Sequence, residues 1–245
     1  MRLVRSCQAL KLTSGSGTLR GGVRGVKGVR ALNSHTKHSN PAVERSAKKL
    51  RFLVPSALRL PLTSMLCLMK ITLDHNCIID LEKRTGIGKK IEEIVSHPGN
   101  QCFVVNIGAS EMRQNGVRPD HYEKFEELLK SAGIERLPRL NPIAIIDVTF
   151  IDKCVFADDE MIKLSTEIES VLFPDQSNVD IATLGLDSPQ GRKWLNRLCD
   201  VHTMWCHIKY GNEVFLTADA NFKKQTRLPK LIALGAGQIR HPNEL

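Results

Sequence analysis

Four acidic residues stand where the chain turns from strand to loop or runs through a helix, and together they suggest one chemistry. Asp74 closes the alternating run "KITLD" (70–74), and Asp219 closes "EVFLTAD" (213–219). Glu111 follows the strand-like "QCFVVNIG" (101–108) by a few residues. Asp200 lies within a long helical stretch, on a face shared with Thr203, Met204 and His207. Four clustered carboxylates with few bases nearby repel one another until a cation compensates. An oxygen-only donor set of this kind suits Mg²⁺ or Mn²⁺, which keep several waters and bind phosphates. Taken singly, each acid has a plainer role. Asp74 and Asp219 suit helix N-caps, Glu111 suits the N-terminal end of a helix dipole, and Asp200 suits a solvated helix face.

The elements that must position these acids alternate between strand and helix from Met69 onward. Residues 70–74 read as a strand and 77–97 as helix, with a break expected at Gly86–Gly88. A second strand over 101–108 leads to a helix start at "ASEMRQ", and 120–132 is helical, ending at Gly133 as a C-cap. "PIAIIDV" (142–148) reads as a third strand, and 157–172 as a helix whose acidic first turn suits its dipole. The long helix, about 188–210, carries Trp194, Leu198, Val201, Trp205 and Ile208 as one apolar stripe. A strand at 213–219, a helix opening at "FKKQTRL" and a short closing strand in "GAGQIRHPNEL" complete the chain. Such alternation predicts an α/β fold with a parallel sheet covered on both faces. In such sheets ligands bind beyond the carboxyl ends of the strands.

The stretches "ITLDHNCIIDL", "VNIGASEM", "LCDVHTMWCHIKYGNEVFLTADANF" and "GAGQIRHPNEL" resemble, in order, the blocks of PIN-domain ribonucleases. The resemblance covers residues 69–245 and is most specific at 71–81 and 213–222. It implies a three-layer sandwich, a central parallel sheet flanked by helices, and a site made of Asp74, Glu111, Asp200 and Asp219. Asp74 and Asp219 would be metal ligands, with Glu111 and Asp200 bridging or holding metal-bound water, and Mg²⁺ or Mn²⁺ would be the cofactor. Asn76, Thr217 and Asn221 would face or support the substrate. The implied reaction is hydrolysis of RNA, leaving 5′-phosphate and 3′-hydroxyl ends. An acidic site repels RNA, so phosphates need cationic help; Arg113, Lys223, Lys224 and Arg227 are the nearest candidates in sequence, with an ordinary solvated face as their alternative.

Two departures bear on this expectation. The stretch 112–186 is longer than in the compact toxin members of the family, and bulky His202 and Trp205 follow Asp200 where small residues would be more natural. The expected function is a metal-dependent ribonuclease. The alternatives are a PIN-like module that binds RNA or protein without cleaving, or a toxin held by an antitoxin-like protein inhibitor. RNA, such an inhibitor and a second copy of the chain are the expected partners.

Other constellations carry less. Cys199, His202 and Cys206 share one helix face and offer soft ligands of the kind zinc takes, but they flank the apolar stripe and read as core. Asp147 ends the expected third strand and is a candidate fifth acid. "TGIGKK" (85–90) pairs glycines with lysines but lacks the spacing of a phosphate-binding loop.

The charge divides the chain in two. Residues 1–68 carry 13 Lys and Arg against one acid, Glu44, whereas 69–245 hold 22 bases and 25 acids. The basic front segment reads as an extension ahead of a native start at Met65 or Met69, as a disordered tail, or as a targeting peptide. Its apolar stretch is interrupted by Pro55, Arg59 and Pro61, too often for a membrane span, which needs about 18 apolar residues. The seven cysteines form no CxxC pair, which fits a reducing compartment and a cytoplasmic protein without membrane attachment.

Overall fold

The computed structural model describes residues 68–113, 116–175 and 181–245; apart from Leu68, the basic extension lies outside them. Among the described residues five strands form: β1 (Met69–Leu73), β2 (Asn100–Val105), β3 (Arg139–Leu140), β4 (Val214–Leu216) and β5 (Gln238–Arg240). All neighbours are parallel and the order is β3-β2-β1-β4-β5. The chain therefore builds outward from β1 in one direction, then returns and builds outward in the other. The direction reverses between β1 and β4.

Among the described residues eight α-helices connect and cover the strands: α1 (His75–Glu82), α2 (Gly86–Ser96), α3 (Gly108–Glu111), α4 (Pro119–Ser131), α5 (Asp159–Leu172), α6 (Ile181–Leu184), α7 (Pro189–Lys209) and α8 (Leu228–Ala233). Alternation along the strands divides the core in two. Ile71, Leu73, Val104, Val214 and Leu216 pack with Ile78 of α1, Ile91 of α2 and Phe125 of α4. Val105, Phe215 and Ile239 belong with Ile168 of α5 and Val201, Met204 and Trp205 of α7. The fold is α/β, a parallel sheet flanked by helices on both faces. Among the described residues no helix is long and apolar enough to cross a membrane.

A polar thread ties α7 to β1 through the second layer. His207 Nε2 lies 2.7 Å from the Ala236 carbonyl, which can only accept, so Nε2 carries the proton. Nδ1 then accepts from the Thr72 hydroxyl at 3.0 Å, and Thr72 Oγ1 accepts from Asn212 Nδ2 at 2.7 Å. Burial lowers the His207 imidazole to about 4, keeping it neutral in this thread.

Four local expectations are corrected. The third strand is Arg139–Leu140, paired to Val104–Val105, and not 142–148. Pro142 has no N–H to give a ladder, and the chain after it makes one isolated bridge, Ile143 to Val155, before turning at Asp147 with φ 60°. Its apolar residues Ile143, Ala144, Ile145 and Val148 are buried as a loop. The helix at "ASEM" is a single turn that Glu111 closes rather than opens. "FKKQTR" forms turns, and the helix begins only at Leu228.

The fourth correction concerns "TGIGKK". The break between α1 and α2 precedes the glycines, and Thr85 caps α2 by accepting from Gly88 N at 3.0 Å. A Cβ on Gly88 would meet the Asp80 carbonyl oxygen at 2.2 Å, so this glycine is what lets the two helices approach. Gly88→Ala is expected to lose about 1–3 kcal/mol of stability, because the clash is with backbone and outweighs the helix propensity alanine adds. Urea unfolding of the full chain measures it; a variant as stable as the parent would refute the close-approach account.

Candidate functional site

β1 and β4 run in the register Leu73↔Leu216, so the residues that follow them, Asp74 and Thr217, leave the sheet side by side. One further bond, Asp74 N to Leu216 O at 3.0 Å, extends their pairing past the last rung. Thr217, wholly buried, donates its hydroxyl to Asp74 Oδ2 at 2.6 Å and accepts from Asp219 N at 2.9 Å. Asp219 Oδ1 accepts from Asn221 N at 2.8 Å, and Asn76 Oδ1 accepts from Ala218 N at 3.4 Å. Side chains thus take the backbone donors that a longer β4 would have spent on the sheet. That is why the strand stops at Leu216, and Asp219 stands on a turn beyond it.

Asp74 does cap α1, its Oδ1 accepting from His75 N at 2.8 Å. Capping uses one oxygen only; the other accepts from the Thr217 hydroxyl and is turned toward β4. Glu111 closes α3, which follows β2, and Asp200 lies in the middle of α7.

Electrostatics shows which acids feel one another. Burial, with Asp219's charge adding to it, raises the Asp74 carboxyl to about 6 despite hydrogen bonds from Thr217 and His75 that pull the other way. Asp200 is pushed up to about 8 by burial first, then by Asp74 and Asp219. Glu111 is raised well above the ordinary carboxylate range by burial, Asp74 and Asp200. Strongly shifted, mutually coupled acids in one place are a mark of functional sites, since a fold gains no stability by gathering them. The donors are all oxygen, the chemistry a hard divalent cation takes. As they stand, however, no three His, Cys, Asp or Glu side chains among the described residues converge closely enough to hold one ion in common.

The cationic candidates divide. Arg113 is buried, its guanidinium donating to the Asp147 carbonyl and lying 4.0 Å from Asp187, so it braces the loop after β3. Lys223 pairs with Glu244. Lys224 is exposed, and Arg227 is half-buried with Nη1 at 3.5 Å from the Asn221 carbonyl. Asp147 faces solvent on its turn and adds nothing to the coupled acids. Cys199, His202 and Cys206 are all core, and burial raises both thiols and lowers His202 to about 4. Trp205 points at α5, donating Nε1–H to Met161 O at 3.2 Å, and so does not narrow the cluster.

One neighbour escaped sequence reasoning. His75 Nε2 lies 3.4 Å from Glu111 Oε2. The sequence places His75 next to Asp74, but nothing local says that α1 and α3 meet there. Compared with protein-family models, with curated proteins and with solved structures, the chain matches none.

Proposed function

We propose that the chain is a metal-dependent ribonuclease of PIN-like type, with Asp74, Glu111, Asp200 and Asp219 as its acidic cluster. One observation supports the reading: Asp74 and Asp219 follow the carboxyl ends of β1 and β4, where the strand order reverses, and their charges reach Asp200, as that of Asp74 reaches Glu111. The reversal is where open parallel sheets bind ligands, and the strand order puts the two acidic loops there together. The order of acidic blocks in the sequence, which resembles that of PIN-domain ribonucleases, supports the same reading.

In this reading Asp74, Glu111, Asp200 and Asp219 would hold Mg²⁺ or Mn²⁺. When bound, such ions activate water, clamp the scissile phosphate and stabilise the departing oxygen. The chain's own residues prepare the place. Thr217 fixes one oxygen of Asp74 and the backbone of Asp219 through a single hydroxyl, so the two strand-end acids keep a constant separation. Asn76 ties the start of α1 to the turn at Ala218. Of the four cations weighed, Lys224 is exposed on the turns that follow Asp219 and would be the first to meet a phosphate backbone, with half-buried Arg227 beside it, whereas Arg113 and Lys223 serve the protein itself.

The alternative is a PIN-like domain that binds RNA or protein without cleaving it. A single assay separates the two. The full chain is incubated with mixed RNA in Mg²⁺ or Mn²⁺, with and without EDTA. Cleavage that EDTA abolishes is expected, whereas RNA retained by the protein but left intact in either metal would establish the binding module instead.

A further inference from the structure

We infer that His75 is a positioning residue for Glu111, its ring wedged between Gly108 and Phe125 so that Nε2 faces the Glu111 carboxyl. The inference rests on the ribonuclease reading for its purpose but not for its geometry. Nε2 stands 3.4 Å from Glu111 Oε2, and among the described residues no hydrogen bond or other ion pair reaches that carboxyl. The other acids at the strand ends are short side chains already pinned: Asp74 by His75 N and the Thr217 hydroxyl, Asp219 by Asn221 N. Glutamate has one more rotatable bond than aspartate. Without a partner its carboxyl would sample several rotamers and be aligned with the cluster only part of the time.

The ring itself has little freedom. It stacks on Phe125 with centroids 6.1 Å apart and an interplanar angle of 28°, and Phe125 is wholly buried. On the other side stands Gly108, where a Cβ would meet His75 Nδ1 at 2.8 Å and Phe125 Cε2 at 2.8 Å. A glycine at the first position of α3 therefore vacates the volume the imidazole fills. The same contact chooses the tautomer. Nδ1 is buried and has no hydrogen-bond partner, so a proton there would face glycine with nothing to accept it. The proton belongs on Nε2, where the Glu111 oxygen lies, and the bare Nδ1 is the nitrogen left against Gly108. α1, α3 and α4 are thereby joined at one point. The residue that follows β1 and caps α1 and the residue that closes α3 are linked through a side chain adjacent to the first.

A merely structural imidazole would behave differently from a positioning one, and two measurements on the full chain separate them. In cation-free wild-type protein, the ¹⁵N resonances of the His75 ring should report the Nε2–H tautomer, and Glu111→Gln should shift the Nε2 signal. A ring protonated on Nδ1, or an Nε2 signal indifferent to Glu111→Gln, overturns the inference without any reference to metal. The second measurement is Mn²⁺ binding by calorimetry for wild type, His75→Leu and His75→Gln. Leucine keeps apolar volume without a donor, whereas glutamine places an amide N–H near the Nε2 position. His75→Leu should weaken Mn²⁺ binding by roughly 10–100-fold, the range seen when groups that orient metal ligands are removed, and His75→Gln should weaken it clearly less. Equal losses in both variants would mean packing alone and overturn the inference. Wild-type affinity in His75→Leu would do the same while leaving the ribonuclease reading intact. Wild-type protein that binds no Mn²⁺ would instead remove the ribonuclease reading, and the role of His75 toward a cation with it.

Discussion

Asp74→Asn is expected to reduce metal-dependent RNA cleavage by about three orders of magnitude or more, the rate equivalent of roughly 4 kcal/mol, while leaving the folded chain nearly as stable as before. Asparagine keeps the size of the side chain and an oxygen to accept from His75 N, and it is nearly as good a helix cap as aspartate. It removes the charge a divalent cation would need, a loss worth several kcal/mol of transition-state stabilisation. Two stability effects then oppose each other. The Thr217 hydroxyl loses an acceptor, a cost of about 1 kcal/mol, and the repulsion that Asp74 exerts on Glu111 and Asp200 disappears. Asp80, on the same helix, is the control. Its Oδ1 accepts from Thr85 Oγ1 at 3.1 Å, at the far end of α1, so Asp80→Asn should cleave almost normally. Undiminished cleavage by Asp74→Asn, in protein shown free of contaminating nuclease, would remove the site from where the fold suggests it lies.

The second large effect is a cation response that grows with pH. Asp74 is raised to about 6, Asp200 to about 8 and Glu111 well above its ordinary range. Above their unfolded values these groups hold more protons in the native chain than in the unfolded one, so the stability they contribute is lost as pH rises through the folded values. Buried His75, His202 and His207, each lowered to about 4, work in the opposite direction. Their contribution is present above the unfolded value of 6.5 and is lost as pH falls from there toward 4. The unfolded histidines finish titrating by about pH 7.5, and above that the raised acids dominate, so the cation-free melting temperature should decline toward pH 8.5. In saturating Mn²⁺ it should hold or rise, since the ion competes with those same protons. At about a hundred times the dissociation constant the gain is about 2.7 kcal/mol, or roughly 5–10 °C for a chain of this size. Thermal melts at pH 6.5, 7.5 and 8.5, with Mn²⁺ and with EDTA, give the gap directly. A gap that stays constant across that range would mean the ion binds away from the coupled acids.

Both predictions depend on residues that the sequence already singles out, yet the geometry that links them is not in the sequence. An aspartate after an alternating run can be read from composition and period alone, and so can α7, whose stripe of Trp194, Leu198, Val201, Trp205 and Ile208 ends within a residue or two of where the helix does. What the stripe conceals is depth. Cys199, His202, Met204 and His207 lie off it and are buried all the same, because α7 is packed by the sheet on one side and by α5 on another. A helix covered on several sides loses the amphipathic signature from which burial is read.

The sequence by itself determined that strands alternate with helices in a parallel α/β fold and that Asp74, Glu111, Asp200 and Asp219 fall near strand ends or in the long helix. Those are consequences of local spacing, since periods of two and of three to four residues are written within a few turns of chain. Only the tertiary structure decided which strand lies beside which, and so that Asp74 meets Thr217 across β1 and β4 and that the reversal of strand order falls between them. It also decided that the third strand would be two residues at Arg139 rather than the apolar run after Pro142, that Arg113 would be spent on the Asp147 carbonyl, and that His75 would reach Glu111 through the space left by Gly108. Each of these is a contact between segments distant in the chain. Its free energy depends on crossover geometry, on the volume a neighbour leaves empty and on the backbone donors another element has already used, and none of those quantities is carried by the residues on one side of the contact.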